Sequence, residues 1–317
     1  KVQDYGTHRT SRWYRMTMSE QPLRAAEEPW RINHISPSKL AVWLKCPASF
    51  YFHYIRRLPR HNKVYFPQGT AVHLGVELLN QDLNAGRDPD YDYYVVKMEE
   101  IWQYELDKGG PLYDSKGNVI PPSKYDFHFA EVERWFKIYF ASALAGNIPD
   151  FDATCVKETE LDIMRRVVHP VHGDLGVFIR GKIDWVIDLE GDVARLADLK
   201  TASTHWMGQW SDTKASSQLQ ATAYGYAIGK PLDFSYVVIP KADAKSAPST
   251  KVEHYRTQRG ETHYAGLEDL MWNFIQQTDV LNNYANFVPY ANPDPSKYSH
   301  CNKLCDYKDA CKKEFFS

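Results

Sequence analysis

Alternation of apolar and polar residues between positions 177 and 201 predicts a β-hairpin. Residues 177–189 are rich in β-branched and apolar side chains, and residues 190–192 (Glu-Gly-Asp) have the composition of a turn. Residues 193–199 continue as the second strand. This hairpin carries the residues on which the functional interpretation depends.

Strand periodicity assigns faces to the acidic residues of this hairpin. Asp184 is expected to share a face of the first strand with Lys182 and Val186, opposite Ile183, Trp185 and Ile187. Asp198 and Lys200 are expected to share a face of the second strand. If Asp184 and Asp198 converge, two carboxylates beside an ammonium could hold a hard cation such as Mg²⁺. The alternative is an ordinary solvated strand edge, because Asp-x-Lys is a common tripeptide.

The sequence predicts helices both before and after the hairpin. Ser36 and Pro37 have the N-cap and first-turn chemistry of a helix start, and Cys46-Pro47 predicts a break inside that helix. Helices are predicted over residues 36–55, 69–84, 93–106, 127–145, 214–228 and 264–284. Further strands are predicted over residues 154–168, 234–239 and 252–255.

The order of these elements predicts one α/β domain over residues 30–317 with a helical insertion at about 87–150. Residues 1–29 are expected to be a tail or leader, and Met16 or Met18 could be an internal start. The tail is interpreted as disordered rather than as a nucleic-acid contact. Four aromatic residues of the insertion are expected to form its core and not a base-stacking platform: Trp102, Trp135, Phe136 and Tyr139.

Composition narrows the class of protein. The chain has 317 residues, of which 43% are hydrophobic and 25% charged, and its formal net charge is −2. Bulk charge therefore does not signal nucleic-acid binding, so any such site must be a local basic groove. The cationic candidates for that groove are Arg56, Arg57, Arg60, Lys63, Arg165 and Arg166. No apolar run approaches the roughly 20 residues of a membrane span, and the first residues do not resemble a secretory signal.

Five separated motifs follow one another along the chain: Gly69-Thr-Ala-Val-His73, Gly181-Lys-Ile-Asp184, Asp198-Leu-Lys200, Gln220-Ala-Thr-Ala-Tyr224, and an early cysteine answered by three terminal ones. In this order they resemble the RecB-like branch of the PD-(D/E)XK nucleases. The resemblance is strongest to members with an iron–sulfur cluster: CRISPR-associated RecB-like exonucleases, the AddB nuclease domain and phage exonucleases. It implies a restriction-endonuclease-like mixed sheet flanked by helices.

The resemblance implies a role for each motif residue. His73, Asp184, Asp198 and the Leu199 carbonyl resemble the ligands of Mg²⁺ or Mn²⁺, and Lys200 resembles the catalytic lysine. Asp198 stands where many relatives carry Glu. Gln220 and Tyr224 resemble the glutamine and tyrosine that line the family's active site, although Gln218 is an alternative for the glutamine. Glu158 or Glu160 is the candidate for a further acidic residue, and Glu77 lies one helical turn from His73.

The cysteines form a second candidate site. Cys46 and the terminal Cys301, Cys305 and Cys311 resemble the family's four cluster ligands, although the spacer between the first two terminal cysteines is three residues here and usually two in relatives. Four thiolates suit a [4Fe–4S] cluster, and they also suit structural zinc. Free or disulfide-bonded cysteines are the remaining alternative. Cys155 is expected to be buried on an apolar strand.

The activity implied is metal-dependent hydrolysis of DNA from its single-stranded ends, in recombination, repair or phage DNA processing, inside a bacterial or phage-infected cell. Recombination or helicase proteins are the implied partners. Two alternatives remain: a non-catalytic DNA-binding or assembly protein that keeps the fold, and an endonuclease that uses the same site.

Overall fold

The computed structural model of the protein describes residues 32–148, 151–203, 210–241, 251–281, 301 and 305–315. The predicted tail at residues 1–29, the loop at residues 242–249 and the Pro-rich stretch at residues 289–295 lie outside the described residues. None of the helices in the described ranges combines the length and hydropathy needed to cross a bilayer.

A mixed six-stranded sheet is the centre of the fold, with strands in the order β1-β5-β6-β7-β8 and β4 paired with β5. The strands are β1 (His34–Ile35), β4 (Glu158–His169), β5 (Gly173–Asp188), β6 (Ala194–Ser203), β7 (Leu232–Lys241) and β8 (Glu253–Arg259). A separate parallel pair is formed by β2 (Asn62–Lys63) and β3 (Leu112–Tyr113). The predicted α/β class, a mixed central sheet flanked by helices, is confirmed.

The long strand β5 organises the sheet, because it has partners along both edges. One edge pairs antiparallel with β4 almost from end to end. The other edge pairs parallel with β1 at Phe178 and Ile179, and antiparallel with β6 from Trp185 onward. Between these two pairings, residues 180–184 have no strand partner on that edge in the described part of the chain. This open stretch of β5 positions the candidate site.

Helices cover both faces of the sheet, at or near the positions that periodicity predicts. They are α1 (Pro37–Lys45), α2 (Pro47–Phe50), α3 (Tyr65–Asn84), α4 (Tyr91–Gly109), α5 (Tyr125–Leu144), α6 (Asp212–Ser217), α7 (Leu219–Ile228), α8 (Glu261–Leu281) and α9 (Lys308–Phe315). The predicted break at Cys46-Pro47 is confirmed, because Cys46 is extended between α1 and α2. The chain then continues through a π-helical turn, Tyr51–Ile55.

Two buried cores lie on opposite sides of the strands. The first joins α3, α4 and α5 to the sheet and contains all four aromatic residues that were expected in a helical core: Trp102, Trp135, Phe136 and Tyr139. The second lies under α7 and contains Tyr224, Phe234 and Tyr236. The segment at 87–150 therefore shares a core with the sheet, because Trp185 and Leu199 belong to the first core too.

Three sequence predictions require correction. The single helix expected over residues 214–228 is two helices, because Gln218 is extended between α6 and α7. Cys155 is exposed in a 3₁₀ turn, and the strand begins only at Glu158. The apolar residues Ile183, Trp185 and Ile187 do not share one face: Ile183 packs in the core under α7, whereas Trp185 and Ile187 pack in the core under α3. The facing of β5 thus changes across Asp184.

Candidate active site

The candidate site begins where β5 and β6 stop pairing. Their ladder ends at Trp185 opposite Ala197, so the next residues, Asp184 and Asp198, stand at the point where the strands diverge. The Leu199 amide, which has left the ladder, donates instead to Asp184 Oδ2 at 2.9 Å. The Asp184 carboxylate therefore accepts the hydrogen bond that a backbone carbonyl would accept in a continuous ladder. The Leu199 amide in turn orients this carboxylate.

Asp198 is the most deeply buried acid of the site, with 1% of its surface exposed. Its Oδ1 accepts a hydrogen bond of 2.6 Å from Gln220 Nε2 on α7. Its Oδ2 forms an ion pair with the Lys200 ammonium, and no other group in the described structure hydrogen-bonds to it. Burial alone would lower the pKa of Lys200, but the charges of Asp198 and Asp184 outweigh burial and raise it. Lys200 is therefore a cation at neutral pH.

His73 approaches from α3 on the other side of the carboxylates. Its Nδ1 lies 3.5 Å from Asp184 Oδ2, and the ring hydrogen-bonds with the Leu199 backbone. Burial is the main cause that lowers the pKa of His73 to about 4. The imidazole is consequently neutral at physiological pH, which is the state in which histidine binds metals.

Asp184 has an environment that opposes its negative charge. Burial is the largest cause that raises its pKa well above the ordinary value, and the charge of Asp198 is the next. Lys200 and the Leu199 amide act in the opposite direction, and they do not offset the burial. A site in which two carboxylates repel each other gains stability from a further cation.

A hydrogen-bond chain joins α7 to the open edge of β5. Gln220 Nε2 lies 3.0 Å from the Tyr224 hydroxyl, which donates to the Lys182 carbonyl at 2.6 Å. The ring of Tyr224 fits only because residue 181 is glycine, since a Cβ there would lie 2.6 Å from Tyr224 Cε1. The side chain of Gln218 instead donates to the Lys214 carbonyl at 3.1 Å. Gln220, and not Gln218, therefore contacts the buried Asp198.

Two further acids lie beside the site. Glu160 lies between Thr159 and Leu161, which pair with Trp185 and Ile183 on either side of Asp184. It has a left-handed backbone with φ of 60° and contacts the Lys182 ammonium. Glu77 on α3 hydrogen-bonds with Thr159, and burial followed by the charge of Glu160 raises its pKa to about 6. Sequence reasoning placed Glu160 level with the exposed Glu158 as a candidate and gave Glu77 no role. The position of Glu77 one turn after His73 was the available signal.

The chemistry of these donors fits a hard divalent cation. Carboxylate and carbonyl oxygens with a neutral imidazole are suitable ligands for Mg²⁺ or Mn²⁺. Within the described residues, however, no three His, Cys, Asp or Glu side chains are gathered closely enough to hold a metal ion. In this arrangement Asp198 contacts Lys200, and Asp184 contacts the Leu199 amide. Metal binding would therefore require His73, Asp184 and Asp198 to move closer together.

The cysteines predicted to form a second site lie in one region. Cys305 and Cys311 pack with the buried Cys46 in a hydrophobic cluster that includes Phe52 and Tyr307. Burial, with added repulsion from neighbouring cysteines, raises the pKa values of Cys301, Cys305 and Cys311, the last to about 11. All four thiols, Cys46, Cys301, Cys305 and Cys311, are free of disulfide bonds.

Comparison with known proteins gives a family match over nearly the whole chain. The model of the PD-(D/E)XK nuclease superfamily matches residues 34–312, a range that includes every site residue described above. No curated protein matches the sequence. Among solved structures, the chain is similar to a candidate exonuclease from Eubacterium rectale, with 11% identity, a TM-score of 0.48, and coverage of 90% of this chain and 89% of that one. It is also similar to SSO0001, with 13% identity, a TM-score of 0.38, and coverage of 91% and 90%.

Proposed function

The chain belongs to the PD-(D/E)XK nuclease superfamily, and we propose that it is a RecB-like, metal-dependent exonuclease that hydrolyses DNA from single-stranded ends. The observation that carries the proposal is the convergence of Asp184, Asp198 and Lys200 where β5 and β6 diverge. The RecB-like subtype and the preference for ends rest on the ordered motifs of the sequence, from His73 to the terminal cysteines. Recombination, repair or phage DNA processing is the proposed biological setting.

Each residue has a distinct part in this proposal. His73, Asp184, Asp198 and the Leu199 carbonyl would hold Mg²⁺ or Mn²⁺, which when bound lowers the pKa of water and stabilises charge on the phosphate. Lys200 is a half-buried cation that can orient the attacking water and stabilise the developing negative charge. Gln220 is a positioning residue, because its amide fixes Asp198 Oδ1.

We further propose that Cys46, Cys301, Cys305 and Cys311 hold a [4Fe–4S] cluster, with zinc as the alternative. Support comes from their proximity: Cys305 and Cys311 pack with Cys46 in one cluster, and burial with repulsion between cysteines raises the pKa values of Cys301, Cys305 and Cys311. A bound cationic centre would stabilise the thiolates. The centre would link the region after α1 to the C-terminal helix α9, and so join the two ends of the described chain. Visible absorption and the iron and zinc content of anaerobically purified protein distinguish the two metals. Protein that contains neither contradicts the assignment.

Digestion of end-labelled single-stranded DNA tests the nuclease assignment. Wild-type protein should release nucleotides with Mg²⁺ or Mn²⁺ and be inactive in EDTA. Asp198→Asn and Lys200→Ala should each lower kcat by at least about 100-fold, because each removes a charge that acts at the scissile phosphate. Arg134→Gln, which changes an exposed charge on α5, is the control for the effect of substitution itself.

Circular and linear DNA substrates distinguish an exonuclease from an endonuclease and from a non-catalytic protein. An exonuclease should not cut circular single-stranded DNA, whereas an endonuclease should linearise it. Wild-type protein that binds DNA but shows no metal-dependent cleavage of any form would support the alternative of a non-catalytic assembly protein. Full activity in Asp198→Asn would contradict the site assignment.

A further inference from the structure

Five of the six basic residues that the sequence indicates for DNA binding already have partners within the protein. Asp306 lies 3.0 Å from Lys63 and 3.8 Å from Arg60, and it also lies 3.3 Å from His61. Three of the other four also have partners: Arg56 pairs with Glu314, Arg166 with Asp174, and Arg165 donates to the Tyr226 carbonyl. The fourth, Arg57, is exposed. These cations stabilise the fold, so a phosphate site must be sought among cations that lack such partners.

Three basic residues form a cluster of a different kind beside β1. His34 Nδ1 donates to Asn33 Oδ1 at 2.7 Å, which leaves Nε2 of the neutral ring as an acceptor. The Lys39 ammonium donates to this Nε2 at 2.9 Å and to the His34 carbonyl at 3.1 Å. Arg180 on β5 lies near enough to act electrostatically on both residues. Lys39 is thus held in place by uncharged groups.

The cluster contains no acidic residue in the ranges that the structure describes. No carboxylate in the part of the chain that the structure describes forms an ion pair with His34, Lys39 or Arg180. Burial, with a further contribution from the charge of Arg180, lowers the pKa of Lys39 to about 8. An ammonium and a guanidinium placed together in this way are stabilised by an anion that contacts both.

The open edge of β5 connects this cluster to the carboxylates. Gly181 faces Tyr224, and Ile183 lies in the core under α7, so the alternate residues Arg180 and Lys182 project from the opposite face. Asp184 follows at the point where the facing of the strand changes. Arg180 stands at one end of the unpaired stretch, next to the β1 pairing, and Asp184 stands at the other end. Four residues of strand separate them by about 13 Å.

We propose that Lys39 and Arg180, with Lys39 held in place by His34, bind one backbone phosphate of the DNA strand whose scissile phosphodiester lies at Asp184 and Asp198. This proposal rests on the proposed nuclease function and deepens it by assigning a second contact to the substrate. The separation of about 13 Å is too large for both sites to hold the same phosphate. The bound phosphate therefore lies a small number of nucleotides along the strand from the bond that is cut.

The chemistry of the cluster suits a phosphodiester. An arginine guanidinium can donate two hydrogen bonds to phosphate oxygens, and a lysine ammonium supplies a point charge with a donor left over from its two bonds to His34. Such contacts hold the strand in register and do not read its sequence. The site is therefore expected to be independent of base identity.

Steady-state cleavage of end-labelled single-stranded DNA by Arg180→Gln and Lys39→Gln tests the proposal. Each variant should raise KM by about tenfold and leave kcat within about twofold, because the contact acts on binding and not on the reacting atoms. Each should also reduce the slope of log(kcat/KM) against log[salt] by about 0.7. Arg134→Gln on α5, which removes an exposed arginine paired with Glu131, should change neither quantity. Thermal melting checks that the variants are folded.

A substrate with one neutral methylphosphonate, moved position by position from the labelled end, locates the phosphate. One position should raise KM for wild-type protein by about tenfold and have no additional effect on Arg180→Gln, since that variant has already lost the contact. Folded Arg180→Gln and Lys39→Gln with wild-type KM and salt dependence would overturn the phosphate site while leaving the nuclease assignment intact. If wild-type protein cleaves no DNA with either metal, the proposed function fails first. Binding of the inactive Asp198→Asn protein to the same substrates then tests the phosphate site by itself.

Discussion

Gln220 shows how a single side chain can connect the sheet to the chemistry of the site. Its amide is 2.6 Å from Asp198 Oδ1 and 3.0 Å from the Tyr224 hydroxyl, so it links the buried acid to the chain of bonds that ends at β5. The nearby Gln218 makes only a local contact with the Lys214 carbonyl. The two glutamines are only two positions apart and differ in what they contact. Substituting each in turn therefore tests whether the contact with Asp198, and not the loss of any glutamine, affects activity.

Gln220→Ala is expected to lower kcat by about 10- to 100-fold, because a buried carboxylate loses a short hydrogen bond of about 1.5–3 kcal/mol. Gln218→Ala should lower kcat by less than about threefold, because it removes one peripheral contact. Single-turnover cleavage of labelled DNA measures both. Equal losses in the two variants would show that Gln220 has no special part in positioning Asp198.

Glu77 gives the site a pH dependence that can be measured without activity. Its pKa of about 6 in the folded protein is above the ordinary value of 4.5, so the folded state binds the proton more tightly than the unfolded state. Stability associated with Glu77 is therefore fully present below about pH 4.5 and is lost as pH rises through about 6.

Glu77→Gln removes the cost of holding an ionised carboxylate at this buried position. The variant should therefore be more stable than wild type by about 1–2 kcal/mol at pH 8. The difference should disappear near pH 4.5. Denaturant melts in EDTA at the two pH values measure it, and Glu158→Gln, which changes an exposed acid on β4, provides the control. A difference of the same size at both pH values would mean that ionisation of Glu77 is not its cause.

At the scale of elements, the site depends on the close approach of α7 to β5. Gly181 allows the ring of Tyr224 to lie against the strand, and the Tyr224 hydroxyl satisfies the Lys182 carbonyl on the unpaired edge. A helix thus supplies the hydrogen bond that a neighbouring strand would otherwise make. This hydrogen bond stabilises the open edge of β5.

Gly181→Ala should lower the free energy of unfolding by about 1–3 kcal/mol, because the added Cβ would lie 2.6 Å from Tyr224 Cε1 and force the two elements apart. Gly69→Ala is the matched control, since nothing lies within 4 Å of its added Cβ on α3. The control should raise stability by about 0.5–1 kcal/mol, because alanine is the better helix former. Urea melts of both variants test the contrast, which a neutral Gly181→Ala would contradict.

At the scale of the whole molecule, the cysteine cluster joins distant parts of the chain. Cys46 follows α1. Cys305 lies just before the C-terminal helix α9, and Cys311 lies within that helix. Asp306 strengthens this connection by pairing with the buried Lys63, two residues before α3 begins. The helix that carries His73 is therefore attached to the same region as the terminal cysteines.

Cys305→Ala is expected to lower Tm by roughly 10 °C and to reduce soluble yield, because loss of the proposed metal centre would release the C-terminal helix from the rest of the domain. Cys155→Ala should shift Tm by less than about 2 °C, because Cys155 is exposed and lies outside the cluster. Differential scanning calorimetry of protein purified without oxygen measures both. A Cys305→Ala protein that melts with the wild type would remove the structural role of the cluster.

The sequence by itself determined the periodic features of this protein. The hairpin, most helices, the break at Cys46-Pro47 and the aromatic core follow from local rules of side-chain spacing and backbone sterics. Asp184, Asp198 and Lys200 could be selected because they stand on one predicted hairpin, and His73 and Gln220 because their motifs recur in a known order.

Only the tertiary structure decided how the strands pair and which side chains from different elements meet. The parting of β5 and β6, the change of facing across Asp184 and the positive φ of Glu160 depend on strand pairing, which no local pattern encodes. The same non-local packing selected Gln220 over Gln218 and brought Glu77 to Glu160. It also brought His34, Lys39 and Arg180 together with no carboxylate paired to them among the described residues. Charge compensation depends on which surfaces meet, and that is a property of the folded chain.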